Sequence, residues 1–412
     1  MRRQQVKFTA LLVALSLFGG SGVRAQFTSL YSFSGGADGR NPYYGAPVIE
    51  GSTLYGTANL GANGGGVVFS MNTDGSNYTA LHAFTSTAPD GYQPLGSVVL
   101  SGSTLYGTTY YGGGAGGSGG NGTIYSVNTD GTGYQTLYSF STSAGYKPYG
   151  TLIMDGSMLY GMTYYSSGGL GSVFSFDTAG SSYSNLYTFT GSPTSGSRPL
   201  GALALSGSTL YGTTVHGGTS SNSSADGVVF KLNTDGSGYN NLVNFAGRSD
   251  GANPYGSLTL VSSTLYGMTR IGGSANYGTI FSVNLDGSGY TNLYSFTSGE
   301  ASGANPNGSL TLVGSMLYGT TKSGGSSDKG TVFGINLDGS GYTNLYSFTG
   351  GSDGANPDGD LAVDGNTLYG WTSAGGNANG GTVFAITIPE PSSYVLVAGG
   401  LVVVLFHRRR NS

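Results

Sequence analysis

The chain contains no cysteine, so disulfides, thiol chemistry and cysteine metal sites are excluded, and the fold has to hold by packing alone. Charge is scarce as well, with Asp, Glu, Lys and Arg making up 8 % of the 412 residues. Between Gln26 and Ile388, eight basic residues (Arg40, Lys147, Arg198, Lys231, Arg248, Arg270, Lys322, Lys329) stand against eighteen acidic ones. That net charge of about −10 makes nucleic acid and anionic membrane surfaces poor partners. The same stretch holds only His82 and His216, far apart in sequence, so neither a zinc triad nor a hydrolase base is visible. Tryptophan occurs once, as Trp371.

What the chain has instead is glycine, 78 residues, and tyrosine, 31, a balance that suits short strands and tight turns rather than helices. These residues recur in register. A Leu-Tyr-Gly step places Tyr55, Tyr106, Tyr160, Tyr211, Tyr266, Tyr318 and Tyr369 at spacings of 51, 54, 51, 55, 52 and 51 residues. A repeat of that period is one supersecondary unit that buries its apolar faces only by stacking on its neighbours. In the fifth copy four segments alternate apolar and polar residues between glycines: Gly256–Leu260, Ser263–Gly267, Gly278–Val283 and Tyr290–Phe296. The last two are joined by Asn-x-Asp-Gly-x-x-Tyr, a hairpin signal that recurs at Asn72–Tyr78, Asn128–Tyr134, Asn233–Tyr239, Asn284–Tyr290 and Asn336–Tyr342. Tight antiparallel hairpins argue for propeller blades and against a parallel β-helix.

The seventh copy stops after Gly381–Ile388 without a fourth strand, while Phe27–Phe33 supplies the missing pattern at the other end of the chain. The expectation is therefore an all-β, seven-bladed propeller over 26–388, with four-stranded antiparallel blades and the last closed by the N-terminal strand. With the first strand of each copy innermost, the long loops Tyr110–Gly122 and His216–Gly227 share one face with the connections between blades, and the Asp-Gly hairpins occupy the other. Variable loops on a rigid scaffold are where recognition usually resides.

Candidate ligand-binding residues follow from that geometry. Asp38, Asp90, Asp250 and Asp353 sit in Asp-Gly-x-x-Pro connections and would rim the loop face, although the same residues also shape turns. Trp371, Tyr110, Tyr111, Tyr164 and Tyr165 fall where an aromatic ring can stack on a sugar or pack between blades. The hairpin aspartates Asp74, Asp130, Asp235, Asp286 and Asp338 lack the further carboxylates of a calcium loop and read as turn residues. Gly116–Gly120 matches Gly-x-Ser-x-Gly only within a glycine run. Asp360 is the one acidic residue inside an innermost strand, with Glu50, Asp155 and Asp364 at the turn after it, a weak basis for the paired carboxylates of a glycosidase. No catalytic residue, cofactor or metal is expected.

Both ends read as addresses. Residues 1–25 carry Arg2-Arg3, an apolar run from Phe8 to Phe18 and a small-residue stretch ending in Ala25, the pattern of a secretory signal peptide. Residues 389–412 carry Pro389-Glu390-Pro391, an apolar segment from Tyr394 to Phe406 that is short for a stable span, and Arg408-Arg409-Arg410. That order resembles the PEP-CTERM sorting signal of Gram-negative bacteria. The resemblance implies recognition of Pro389, Glu390 and Pro391 by a membrane-embedded exosortase, transient or lasting membrane association through the tail, and delivery to the cell surface or extracellular matrix. The tandem copies, with their Gly-x-Leu and Gly-Thr-Val-Phe steps, resemble GloVer repeats, a family that brings no assigned activity. Asp177-Thr-Ala-Gly180 departs from the Asn-x-Asp-Gly pattern, so that hairpin is expected to differ. The functional expectation is a noncatalytic surface propeller that binds or organises extracellular polysaccharide, with a protein scaffold of the envelope and a carbohydrate-active enzyme as alternatives.

Overall fold

The structure, a computed structural model, describes residues 25–61, 64–85, 87–114, 119–191, 195–218, 226–247 and 249–388. Residues 1–24 of the expected signal peptide, Gly116–Ser118, and the C-terminal residues with Pro389, Glu390, Pro391 and Arg408–Arg410 lie outside the described residues. The described chain forms seven small antiparallel sheets in a ring, a seven-bladed β-propeller. In the first blade the order from axis to rim is Val48–Glu50, Thr53–Ala58, Val67–Asn72 and Thr79–Ala83. The last blade consists of Ala362–Asp364, Thr367–Thr372 and Thr382–Thr387, and Gln26–Ser32 adds its rim strand, with Gln26 opposite Thr387 and Ser32 opposite Thr382. Closure by the first strand is as the repeat phase requires.

Contact between blades begins at the axis. Gly45, Gly96, Gly150, Gly201, Gly256, Gly308 and Gly359 stand just before the innermost strands, where neighbouring backbones nearly touch. A Cβ on Gly256 would lie 2.1 Å from the Gly308 carbonyl oxygen, and one on Gly150 would lie 2.4 Å from that of Gly201. Only glycine allows this approach. The residue after Leu-Tyr-Gly ties the ring together: the Thr57, Thr213 and Thr320 hydroxyls donate to the carbonyls of Gly96, Gly256 and Gly359 at 2.9, 3.0 and 3.0 Å. At the closing seam Trp371 replaces threonine, and its indole N–H donates to the Tyr43 carbonyl at 3.1 Å. The first blade carries an extra residue there, Pro42-Tyr43-Tyr44-Gly45 against Pro94-Leu95-Gly96 in the second, and the larger side chain spans the wider joint.

Toward the rim each seam is filled by side chains from facing sheets. The Leu-Tyr-Gly tyrosines lie inside these contacts, with Tyr55, Tyr160, Tyr211, Tyr266, Tyr318 and Tyr369 buried. Aromatic rings from the rim strands stack across six seams: Tyr31 on Tyr78, His82 on Tyr134, Tyr138 on Tyr183, Tyr187 on Tyr239, Tyr294 on Tyr342 and Tyr346 on Phe27. The tyrosine that ends each hairpin motif is therefore a seam residue. Its hydroxyl also reaches the adjacent connection, as when Tyr290 donates to the Asp250 carbonyl. The hairpin aspartates accept from the backbone two residues on, Asp74 from Ser76 and Asp338 from Ser340 at 2.9 Å each, which is turn chemistry. The divergent hairpin is tighter, since its ladder continues to the Asp177 and Ser182 pair.

Two outcomes follow. Gly256→Ala should lower stability by about 1–3 kcal/mol, the overpacking range, because the clash is with backbone that cannot turn aside. Gly168→Ala, where a Cβ meets nothing within 4 Å, should stay within about 0.5 kcal/mol, both read by denaturant unfolding. Second, burial pushes the Tyr31 and Tyr239 phenols up to about 12, and the Asp38 carboxylate adds to the rise at Tyr31. Below pH 10 both folded and unfolded chains keep these protons, so the contribution is complete. Between about pH 10 and 12 only the unfolded chain releases them, and stability must fall through that window. The late-appearing share of tyrosinate absorbance should therefore shrink in Tyr31→Phe with Tyr239→Phe, and an unchanged late share would contradict the seam packing.

Candidate functional site

The loop face holds a concave bowl of about 390 Å³ over the axis, within the size range of small-molecule sites. Two positions of the repeat build most of it. The first is the residue after each blade-joining proline: Tyr43-Tyr44, Leu95, Tyr149, Leu200, Tyr255, Asn307 and Asp358. The second lies where the second strand gives out, three residues after the Leu-Tyr-Gly glycine: Tyr164 within the longer strand of the third blade, and Asn59, Tyr110, Val215, Arg270, Lys322 and Ser373 one residue past the strand in the others. Short ladders fix this face by pairing blade connections with the following loops, as in Gly91–Tyr92 with Tyr111–Gly112.

The bowl is two-sided. Tyr43, Tyr44, Tyr149, Tyr110, Tyr164 and Tyr165 form a continuous aromatic wall in which Tyr44 and Tyr149 stand 5.0 Å apart, Tyr149 and Tyr110 5.7 Å, and Tyr164 and Tyr165 4.6 Å. Burial pushes the Tyr43, Tyr44, Tyr110, Tyr149 and Tyr164 phenols up, so they remain neutral at physiological pH. The opposite wall is polar. Arg270 lies 4.9 Å over the Tyr255 ring and donates to its hydroxyl at 3.0 Å. Lys322 meets the fully buried Asp358 carboxylate at 3.2 Å, and Asn307 and Ser373 each donate to that carboxylate at 2.7 Å.

The residue before each blade-joining proline, Asn41, Gln93, Lys147, Arg198, Asn253, Asn305 and Asn356, has φ between 54° and 59°. Asparagine tolerates this left-handed conformation, and Asn253 and Asn305 use their amides to bond the Val215 and Arg270 carbonyls at 2.7 and 3.1 Å. Lys147 and Arg198 gain no such ease, and a strained residue of this kind costs about 1–3 kcal/mol. Their cations reach over the aromatic wall instead. Lys147 Nζ stands 4.7 Å from the Tyr111 ring centre and 5.3 Å from that of Tyr110, and the Arg198 guanidinium 5.7 Å from that of Tyr164.

Of the residues singled out from sequence, Tyr110, Tyr164 and Tyr165 line the bowl. Tyr111 stacks beside it on Tyr92 at 5.1 Å. Trp371 is 1 % exposed and belongs to the closing seam, so its ring is not open to a ligand. Asp38, Asp90, Asp250 and Asp353 cap the turns leaving the rim strands, accepting from the backbone N–H of Ser34, Thr85, Ala246 and Thr349 at 2.7, 2.8, 3.0 and 2.7 Å. Asp360 faces the axial channel, accepts from the Ser309 N–H at 2.6 Å, and has its carboxyl pushed up by burial. The space there is about 10 Å³, at the limit for one water, so a sugar does not pass along the axis. Sequence reasoning missed Tyr43, Tyr44, Tyr149, Tyr255, Arg270, Asn307 and Lys322. Aligning the copies and reading where they disagree would have found them.

The architecture defines a seven-bladed propeller with one concave aromatic and cationic site at the centre of its loop face. The chain belongs to the Gloeobacter/Verrucomicrobia repeat family, whose profile matches residues 114–225 and 220–399. No curated protein matches it. Among solved structures it is similar to an oligogalacturonate lyase in complex with manganese (TM-score 0.54, 14 % identity, 90 % of this chain and 98 % of that one). It is also similar to a puromycin-hydrolyzing peptidase of Mycobacterium tuberculosis (TM-score 0.51, 11 % identity, 81 % of this chain and 50 % of that one). Identities this low show the fold alone.

The ion pair at the polar wall gives a test of its own. Lys322→Met leaves the Asp358 carboxylate buried without its counter-charge and should cost about 3 kcal/mol, the lower part of the usual range because Asn307 and Ser373 still donate. Adding Asp358→Asn should restore most of that loss in urea unfolding.

Proposed function

We propose that this chain is an exported, noncatalytic cell-surface propeller that binds extracellular polysaccharide in the bowl. The carrying observation is the wall of six tyrosines, neutral and held rigid by one another, beside hydrogen-bonding groups of the opposite wall. Such rings offer apolar faces for the C–H face of a sugar and hydroxyls for its rim. Export rests on the signal-peptide pattern of residues 1–25, and surface delivery on Pro389-Glu390-Pro391, for which an exosortase-type enzyme is the proposed partner. The noncatalytic reading is supported by the state of the acids nearest the bowl: Asp358 is sealed in its ion pair and Asp360 faces the narrow channel.

The full-length protein should cosediment saturably with at least one insoluble polysaccharide from a panel that includes the extracellular matrix of its source cells. Tyr110→Ala with Tyr164→Ala should weaken that binding at least tenfold, about 1.4 kcal/mol, with the melting transition retained. Failure across the whole panel would shift the reading to a protein scaffold of the envelope.

A further inference from the structure

Resting on the polysaccharide reading, we infer that the bowl selects acidic sugars, with a uronate carboxylate placed against its cations and the sugar ring on its tyrosine wall. Lys147, Arg198, Arg270 and Lys322 are half of the eight basic residues of a body whose net charge is about −10. Arg270 and Lys322 line the bowl, and Lys147 and Arg198 stand over Tyr110 and Tyr164 of its aromatic wall. Only Lys322 has a carboxylate partner among the described residues. Cations held at a concavity without a carboxylate partner gain when an anion enters. Two of them, Lys147 and Arg198, occupy left-handed positions where four of the seven repeats keep asparagine. Backbone conformation therefore gives no reason for the cations, and within the protein they meet tyrosine faces rather than carboxylates.

Two orphaned atoms add the polar part of the recognition. Arg270 Nε is buried without a partner although the same guanidinium bonds Tyr255 through its terminal nitrogen. Asn307 must turn its NH2 to the Asp358 carboxylate, which can only accept, and its Oδ1 is left buried and unpartnered. Both residues line the bowl, and once their side chains turn outward the unmet donor and acceptor suit a carboxylate and a neighbouring sugar hydroxyl.

The test uses hexamannuronate, hexagalacturonate and a hyaluronan hexasaccharide, each beside its carboxyl-reduced neutral form, titrated calorimetrically into the full-length protein. At least one acidic oligomer should bind tenfold or more tighter than its reduced form at low ionic strength, and the margin should shrink as salt is added. Lys147→Asn with Arg198→Asn restores the residue most repeats carry, so the doubly substituted protein should melt at a higher temperature than the parent while the margin shrinks. That combination excludes misfolding as the cause. Equal binding of acidic and reduced oligomers, or a margin untouched by the two substitutions, overturns the inference and leaves the polysaccharide reading standing. Absence of binding by every oligomer, acidic or reduced, together with a negative polysaccharide panel, removes both.

Discussion

The approach of seven glycine backbones around the axis is the constraint on which the rest depends. At 2.1 Å from a neighbouring carbonyl there is no room for a Cβ, so the innermost strands converge only where side chains are absent. With that distance set, the hydroxyls of Thr57, Thr213 and Thr320 reach the glycine carbonyls of the next blade, and the second strands come into packing range. Each blade alone is a small twisted sheet with two apolar faces, and its stability comes from the seams. The absence of cysteine and the scarcity of charge are compatible with this, because closure converts every blade face into interior without covalent staples.

The seams also explain why the chain is rich in tyrosine. At the rim of a propeller the blades splay apart and the gap widens, and a stacked aromatic pair fills it while a phenolic hydroxyl satisfies a connection carbonyl, as Tyr78 does for Asp38. Where Val243 replaces the aromatic residue, its partner Tyr290 still packs on Phe281 and Phe245 and still bonds the Asp250 carbonyl. The seam thus tolerates loss of one ring because the hydrogen bond and the inner core remain.

Much of this was legible in the sequence, for a physical reason. Blade number, strand order and closure by Phe27–Phe33 depend on features every copy repeats, so they stand out against variation. Asp74 and its counterparts, and the Leu-Tyr-Gly tyrosines, read correctly as turn and packing residues on the same ground. The bowl did not read out, because its residues are the ones that differ between copies: Tyr44 and Lys322 are separated by most of the ring in sequence and meet only after closure. Trp371 misdirected attention because a solitary aromatic side chain suggested recognition, whereas it answers an extra residue in the first blade's connection. Asp38, Asp90, Asp250 and Asp353 stood out by recurrence, and their hydrogen bonds within the rim turns account for it.

Repeat symmetry and recognition therefore occupy different positions of the same unit. Positions that agree across copies hold the ring together, and each is supported by a like neighbour on either side. Positions after the blade-joining proline and just past the second strand are not held to one residue by the contacts every seam repeats, so their side chains can diverge, and seven copies bring their divergence to one place. Lys147 and Arg198 show how far that freedom extends, since both hold a backbone conformation that suits asparagine better. A ring closed at every seam can carry such local costs, because no single connection decides whether it stays shut.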